Sequence, residues 1–192
     1  MKFKATIDDR AVRDAITKLG GAATQRAVNA ALNRAGVAMK TRAAKLVTSE
    51  FALKASQVKA DELQLSKASG AKTSVDLTVR GKRIPLLNFG SPSQSPRTPG
   101  TRVTIRRGAG RQLYRGAFIT RVRGGPAVFW RQLASGAVRV PRGPVDSLTG
   151  PSVKQILATP ERIETIKKAG LDTFVSRFQH EIARIVARRG KS

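Results

Sequence analysis

Few side chains in this 192-residue chain belong to the types that make or break bonds. It has no cysteine, which removes disulfides, thiolate chemistry and zinc-finger ligation. Its single histidine, His180, leaves no basis for a histidine metal cluster and reads as a surface or core-edge residue. Nuclease-type chemistry needs clustered carboxylates to hold a divalent ion. The pairs Asp61–Glu62 and Glu161/Glu164 fall where helix termini already explain them. Phosphate-loop, dinucleotide and metalloprotease motifs are missing. Gly108-Ala109-Gly110 begins like a dinucleotide fingerprint, but Leu113 stands at the third glycine position. The expectation is a protein without catalysis, cofactor or metal.

The chemistry that remains is that of the guanidinium group. Between Asp76 and Asp146 there is no acidic residue, while fourteen basic residues occur there, thirteen of them arginine. The whole chain carries a formal charge of +25. Solvated charged surfaces normally mix signs, and a one-signed field of this strength repels itself unless a polyanion or an acidic surface lies beside it. Two partners fit: nucleic-acid phosphates, or the acidic face of a neighbouring protein. Arg102, Arg106, Arg107, Arg111, Arg115, Arg121 and Arg123 are the candidate contacts, with four of them around the glycine turn at 108–110. Arginine on phosphate attracts without reading sequence, so the binding is expected to be non-specific and salt-sensitive. Replacing Arg106, Arg107, Arg111 and Arg115 together by Ser is expected to weaken binding and leave the fold intact. Tyr114, Phe118, Phe129 and Trp130 are of a type that stacks bases, but their strand-like setting favours core positions.

The elements that must carry these arginines follow from periodicity. Lys2–Ile7 alternates weakly and reads as an edge strand. Asp8 or Asp9 caps a first helix bearing Val12, Ile16 and Leu19, which Gly20-Gly21 ends. A long alanine-rich helix is predicted from Ala22 to Thr48, its stripe running through Ala27, Val28, Ala31, Leu32, Ala35, Ala38, Met39, Ala43 and Leu46. Residues 56–62 read as a short capped helical turn. Beyond Leu63 the period becomes two, with strands expected near 63–65, 75–80, 84–87, 103–105, 117–122, 127–133 and 138–140. Ser91–Gly100, rich in Pro and Ser, reads as a loop. Thr159 and Pro160 then open an amphipathic helix to Arg189, with Glu161 and Glu164 in its first turn and Gly170 marking a kink or a close approach. The fold class is therefore α+β. Alanine-rich N-terminal helices and a long C-terminal helix pack on a small antiparallel sheet or open barrel with extended basic loops. One domain is expected over 1–192, in a helical part (1–62), a basic β-rich part (63–157) and the C-terminal helix (158–192). No apolar run approaches the roughly 20 residues of a membrane span, and the start lacks a secretory apolar region. No membrane partner is expected, and synthesis is placed in the cytoplasm.

Several stretches together resemble the prophage minor tail protein Z family of long-tailed phages. They are Phe129/Arg131, Pro144-Val145-Asp146, the turn-like Gly150-Pro151-Ser152-Val153, Arg80-Gly81 before Ile84-Pro85-Leu86, and Gly116-Ala117-Phe118-Ile119, followed by the C-terminal helix. The resemblance covers nearly the whole chain and departs at the Pro/Ser-rich stretch 91–100. It implies a structural virion protein, a tail-completion component at the head-proximal end of the tail that helps form the head–tail connection. It also implies a homohexameric ring, neighbours among tail terminator, tail tube or connector proteins, and contact with genomic DNA phosphates in the channel. The rival expectation is a non-specific nucleic-acid-binding protein outside the virion.

Overall fold

A computed structural model describes residues 2–3, 22–70, 72–95, 98–122, 125–131 and 145–189. The helix expected after Asp8 or Asp9, the strand at 138–140 and Arg123 lie outside the described residues. The described residues form four small antiparallel sheets beside a pair of long helices, and none of these sheets closes into a barrel. The α+β class holds.

Helix α1 (Ala22–Glu50) and the last helix, Pro160–Arg189, are the two long elements among the described residues. Most of the predicted stripe is buried: Val28, Ala31, Ala35 and Ala43 are at or below 1% exposed, and Ala27, Leu32 and Met39 nearly so, whereas Ala38 and Leu46 are half-buried and Val47, outside the predicted stripe, is fully buried. Small side chains on α1 let its neighbours approach closely. A Cβ on Gly36 would lie 2.5 Å from Val75 Cγ1 and 2.9 Å from Leu65 Cδ1, so the helix rests almost directly on a sheet. On the adjoining face, a Cβ on Gly170 of the last helix would lie 2.6 Å from Met39 Cγ. Gly170 therefore marks a close approach between helices, and the two run antiparallel, Glu50 meeting Arg162 at one end.

The sheet under α1 has the order β1–β3–β2, formed by β1 (Lys2–Phe3), β2 (Leu63–Ser66) and β3 (Asp76–Val79). Asn33 pins the loop between β2 and β3 to α1, donating to Ala68 O at 3.0 Å and accepting from Ala68 N at 2.9 Å. Before β2 the chain makes a short helical turn, α2 (Ala55–Gln57), that runs into a π-helical turn at Val58–Glu62. No side chain caps it: Lys54 stands at the N-cap and makes no such bond, which corrects the capped turn expected there.

The basic part is built from β4 (Arg83–Pro85), β5 (Ser93–Ser95), β6 (Thr98–Val103), β7 (Gln112–Tyr114), β8 (Ala117–Val122), β9 (Gly125–Arg131), β10 (Val145–Ser147) and β11 (Thr149–Ser152). β5–β6–β7 form one sheet, β8–β9–β10 a second, and β4 pairs with β11. The stretch 91–100 is thus largely strand and not the loop its Pro and Ser content suggested. Pro99 sits within β6, but the strand is held by the pairs Ser93 with Arg102 and Gln94 with Thr101. The strand expected to start at Val103 instead ends there. Helix α3 (Val153–Leu157) and α4 (Pro160–Arg189) complete the chain.

Candidate functional site

The six candidate arginines among the described residues divide into three settings. Arg106 and Arg107 sit at the base of the glycine turn, against the C-terminal end of α1. That end carries Glu50, a carboxylate where the helix dipole disfavours negative charge, and unpaired carbonyls that need donors. Arg107 supplies them: its Nε donates to Thr48 O at 2.7 Å and to Phe51 O at 3.3 Å, and its backbone N–H donates to Glu50 O at 2.8 Å. Arg106 Nη2 lies 3.9 Å from Glu50 Oε1, with its guanidinium 5.6 Å above the Phe51 ring. Arg162 of α4 closes the junction by pairing with the other Glu50 oxygen and donating to Ile156 O. Three arginines from two distant segments thus neutralise one misplaced carboxylate and cap one helix. Replacing Arg106, Arg107, Arg111 and Arg115 together would therefore also remove Arg107 Nε from an exposed and a half-buried carbonyl and Arg106 from Glu50.

Arg102, Arg111 and Arg115 share the second setting, the β5–β6–β7 sheet and the turns at the ends of β7. Period-two alternation puts Thr101 and Val103 inward, both fully buried, and Arg102 outward. Thr101 Oγ1 is satisfied by Ala117 O at 3.0 Å, so the inner face is closed. Arg102 pairs in register with Leu113 on one side and Ser93 on the other. Arg111, two residues before Leu113, donates to Ser93 Oγ at 3.2 Å and so lies over the same face. Arg115 follows two residues after Leu113 and is exposed. Leu113, 36% exposed, leans over Gly100, where a Cβ would meet Leu113 Cδ1 at 3.1 Å and Tyr114 O at 2.5 Å. The result is a solvent-facing pair of guanidinium groups, Arg102 and Arg111, beside one apolar residue on a sheet whose strands contain no carboxylate, with Arg115 exposed in the turn that follows β7.

Arg121 occupies the third setting, exposed on β8 and paired in register with Pro126 of the β8–β9–β10 sheet. Of the aromatics, Phe129 is buried and in tilted contact with Phe118 at 6.3 Å, and Tyr114 is half-buried. Burial raises the Tyr114 hydroxyl above its ordinary value. Trp130 alone among the four is open, 42% exposed.

Gly150-Pro151-Ser152-Val153 is a join and not a free turn. Gly150 and Pro151 belong to β11, and a Cβ on Gly150 would strike the buried Phe89 ring at 2.7 Å. Ser152 is the N-cap of α3 in a capping box: Gln155 N donates to Ser152 Oγ at 3.2 Å, and Ser152 N to Gln155 Oε1 at 3.0 Å. Val153 is fully buried.

Two participants escape a reading of the sequence. Ser93 lies in the stretch whose composition suggests a loop, although Ser93-Gln94-Ser95 and Thr101-Arg102-Val103 both alternate. Glu50 does not stand out as the anchor of the basic turn, although a carboxylate in the last turn of a helix is itself a signal that a cation stands nearby. Among the described residues no group of three potential ligands is placed to hold a metal ion, and no helix is long and apolar enough to cross a membrane.

No curated protein and no solved structure matches the chain. One family does, and it covers almost the full length, residues 8–187, including both long helices, all three arginine settings and the Gly150–Val153 join. The chain belongs to the prophage minor tail protein Z family, and is a structural minor tail protein of a phage particle.

Proposed function

We propose that this minor tail protein completes the tail at its head-proximal end, where its arginine platform faces the DNA channel. The observation that carries the reading is the outward pair Arg102 and Arg111, with exposed Arg115 in the turn that follows, on a sheet with no carboxylate of its own. A duplex presents a dense array of phosphates, and cations held on a rigid strand frame attract them without selecting sequence. In this reading the copies form a homohexameric ring against tail terminator, tail tube or connector proteins. Six chains at +25 each place on the order of 150 formal positive charges around one axis, a density that requires the genome end or acidic ring faces as counter-charge. The protein acts by assembly and contact, without catalysis.

Immunogold labelling of intact particles and isolated tails tests the location. Label confined to the head-proximal tail end supports the reading. Label elsewhere on the tail contradicts the location, and absence from particles, with the epitope shown to be accessible, indicates a free nucleic-acid-binding protein instead.

A further inference from the structure

Seven large apolar side chains stand open to solvent among the described residues, and three share one helix. Leu171, Val175 and Val186 of α4 are 47%, 43% and 54% exposed. Half-buried Ile182 completes their row. At 100° per residue the four fall within about 60° of arc. That flank adjoins the face where Gly170 and Phe174 are buried, Gly170 against Met39 of α1, and where half-buried Phe178 stacks on Phe174. A single exposed valine needs no explanation, whereas a row along a helix marks a contact surface.

The spacing points to the occupant. Leu171 to Val175 is four residues, Val175 to Ile182 seven, and Ile182 to Val186 four, so the row reads the same in both directions. A second copy laid antiparallel about a two-fold axis sets Leu171 against Val186 and Val175 against Ile182. Each contact then occurs twice and no apolar residue of the row is left over, as an isologous interface requires. Charge favours the same direction. Residues 160–175 carry Glu161, Glu164 and Asp172 against Arg162, Lys167 and Lys168, and cancel. Residues 176–189 carry Arg177, Arg184, Arg188 and Arg189 against Glu181 alone. Antiparallel pairing lays the neutral half over the basic half twice, whereas parallel pairing presses two basic halves together. The arginine tract at 77–145 lies on other elements, so none of its arginines belongs to this helix.

We propose that α4 pairs with α4 of a second copy of this chain, antiparallel, through Leu171, Val175, Ile182 and Val186. A two-fold contact closes at two copies. The dimer is therefore a state of the free protein, independent of the tail location and ring proposed above. Its row spans about 22 Å of helix, a small seam, so association is weak, in the micromolar range.

Because the chain has no cysteine, introduced ones are unique. Full-length Leu171→Cys and Val186→Cys proteins, mixed and mildly oxidised, are expected to form the disulfide between positions 171 and 186 faster than either same-position link. Dominance of a same-position link overturns the antiparallel arrangement. By sedimentation, the unaltered protein is expected to dimerise with concentration, and Val175→Glu to weaken dimerisation by roughly tenfold or more, because it places a charge against apolar side chains. Val186→Lys, nearer the helix end, gives the same readout should Val175→Glu lose its helical circular dichroism. A protein that stays monomeric throughout, or folded variants that dimerise like the unaltered chain, overturns the proposal.

Discussion

Arg106 and Arg107 lie within five residues of Arg102 and Arg111 in sequence, yet the two groups do opposite things. Arg106 and Arg107, though exposed themselves, lie against the end of α1, where Thr48 O, Phe51 O and the Glu50 carboxylate take up their donors. Arg102 and Arg111 point outward from a sheet whose inner face is sealed by Thr101 and Val103. The same residue type serves as structural cap in one place and as free cation in the other. The surroundings decide the role: a helix C-terminus with unpaired carbonyls consumes guanidinium donors, and the outer face of a strand pair without carboxylates leaves them available. A count of charges in the tract therefore overstates what a partner meets.

Single substitutions separate the two groups. Arg107→Ala is expected to cost about 1–3 kcal/mol of folding stability, since two carbonyls lose their side-chain donor; chemical denaturation measures it. Glu50→Ala follows at about 1 kcal/mol, discounted because the carboxylate is a third exposed, and it frees both Arg106 and Arg162. If Glu50→Ala proved as stable as the unaltered chain, the junction would be incidental. Arg106→Ala is smaller again, below about 1 kcal/mol, as befits a long ion pair and a ring contact at the surface. Arg121→Ser, by contrast, is expected to leave stability within about 0.5 kcal/mol and to flatten the salt dependence of DNA binding by about one unit. The smallest effect concerns the inner side of the platform. Burial raises the Tyr114 hydroxyl above its ordinary value of 10.0, so the stabilisation is complete below that value and is lost as the pH climbs through the raised one. Tyr114→Phe removes that alkaline loss, which pH-dependent denaturation detects.

The helical part is legible because its signals are local and periodic. Alanines and branched residues at 3.6 spacing set the buried face of α1, and Thr159-Pro160 with Glu161 set the start of α4. The Pro/Ser stretch at 91–100 defeats a composition-based reading because strand pairing is a non-local decision. Ser93 and Gln94 become a strand through partners at Arg102 and Thr101, which override local turn preference. Gly150-Pro151-Ser152-Val153 looks like a turn for the same reason. Its glycine answers to the Phe89 ring far away in sequence, and its serine to Gln155. At the candidate site the sequence shows that arginine matters but not which way each one faces. Direction comes from Glu50 and Arg162, residues outside the acid-free tract altogether.

The most direct test of the division between the two arginine groups is the salt dependence of duplex DNA binding by full-length protein carrying Arg102→Ser, Arg111→Ser and Arg115→Ser together. The expected result is unchanged stability with a log–log salt slope shallower by about three units, one for each phosphate no longer neutralised. A triple variant that binds DNA with the slope of the unaltered protein would contradict the platform as the phosphate-facing surface.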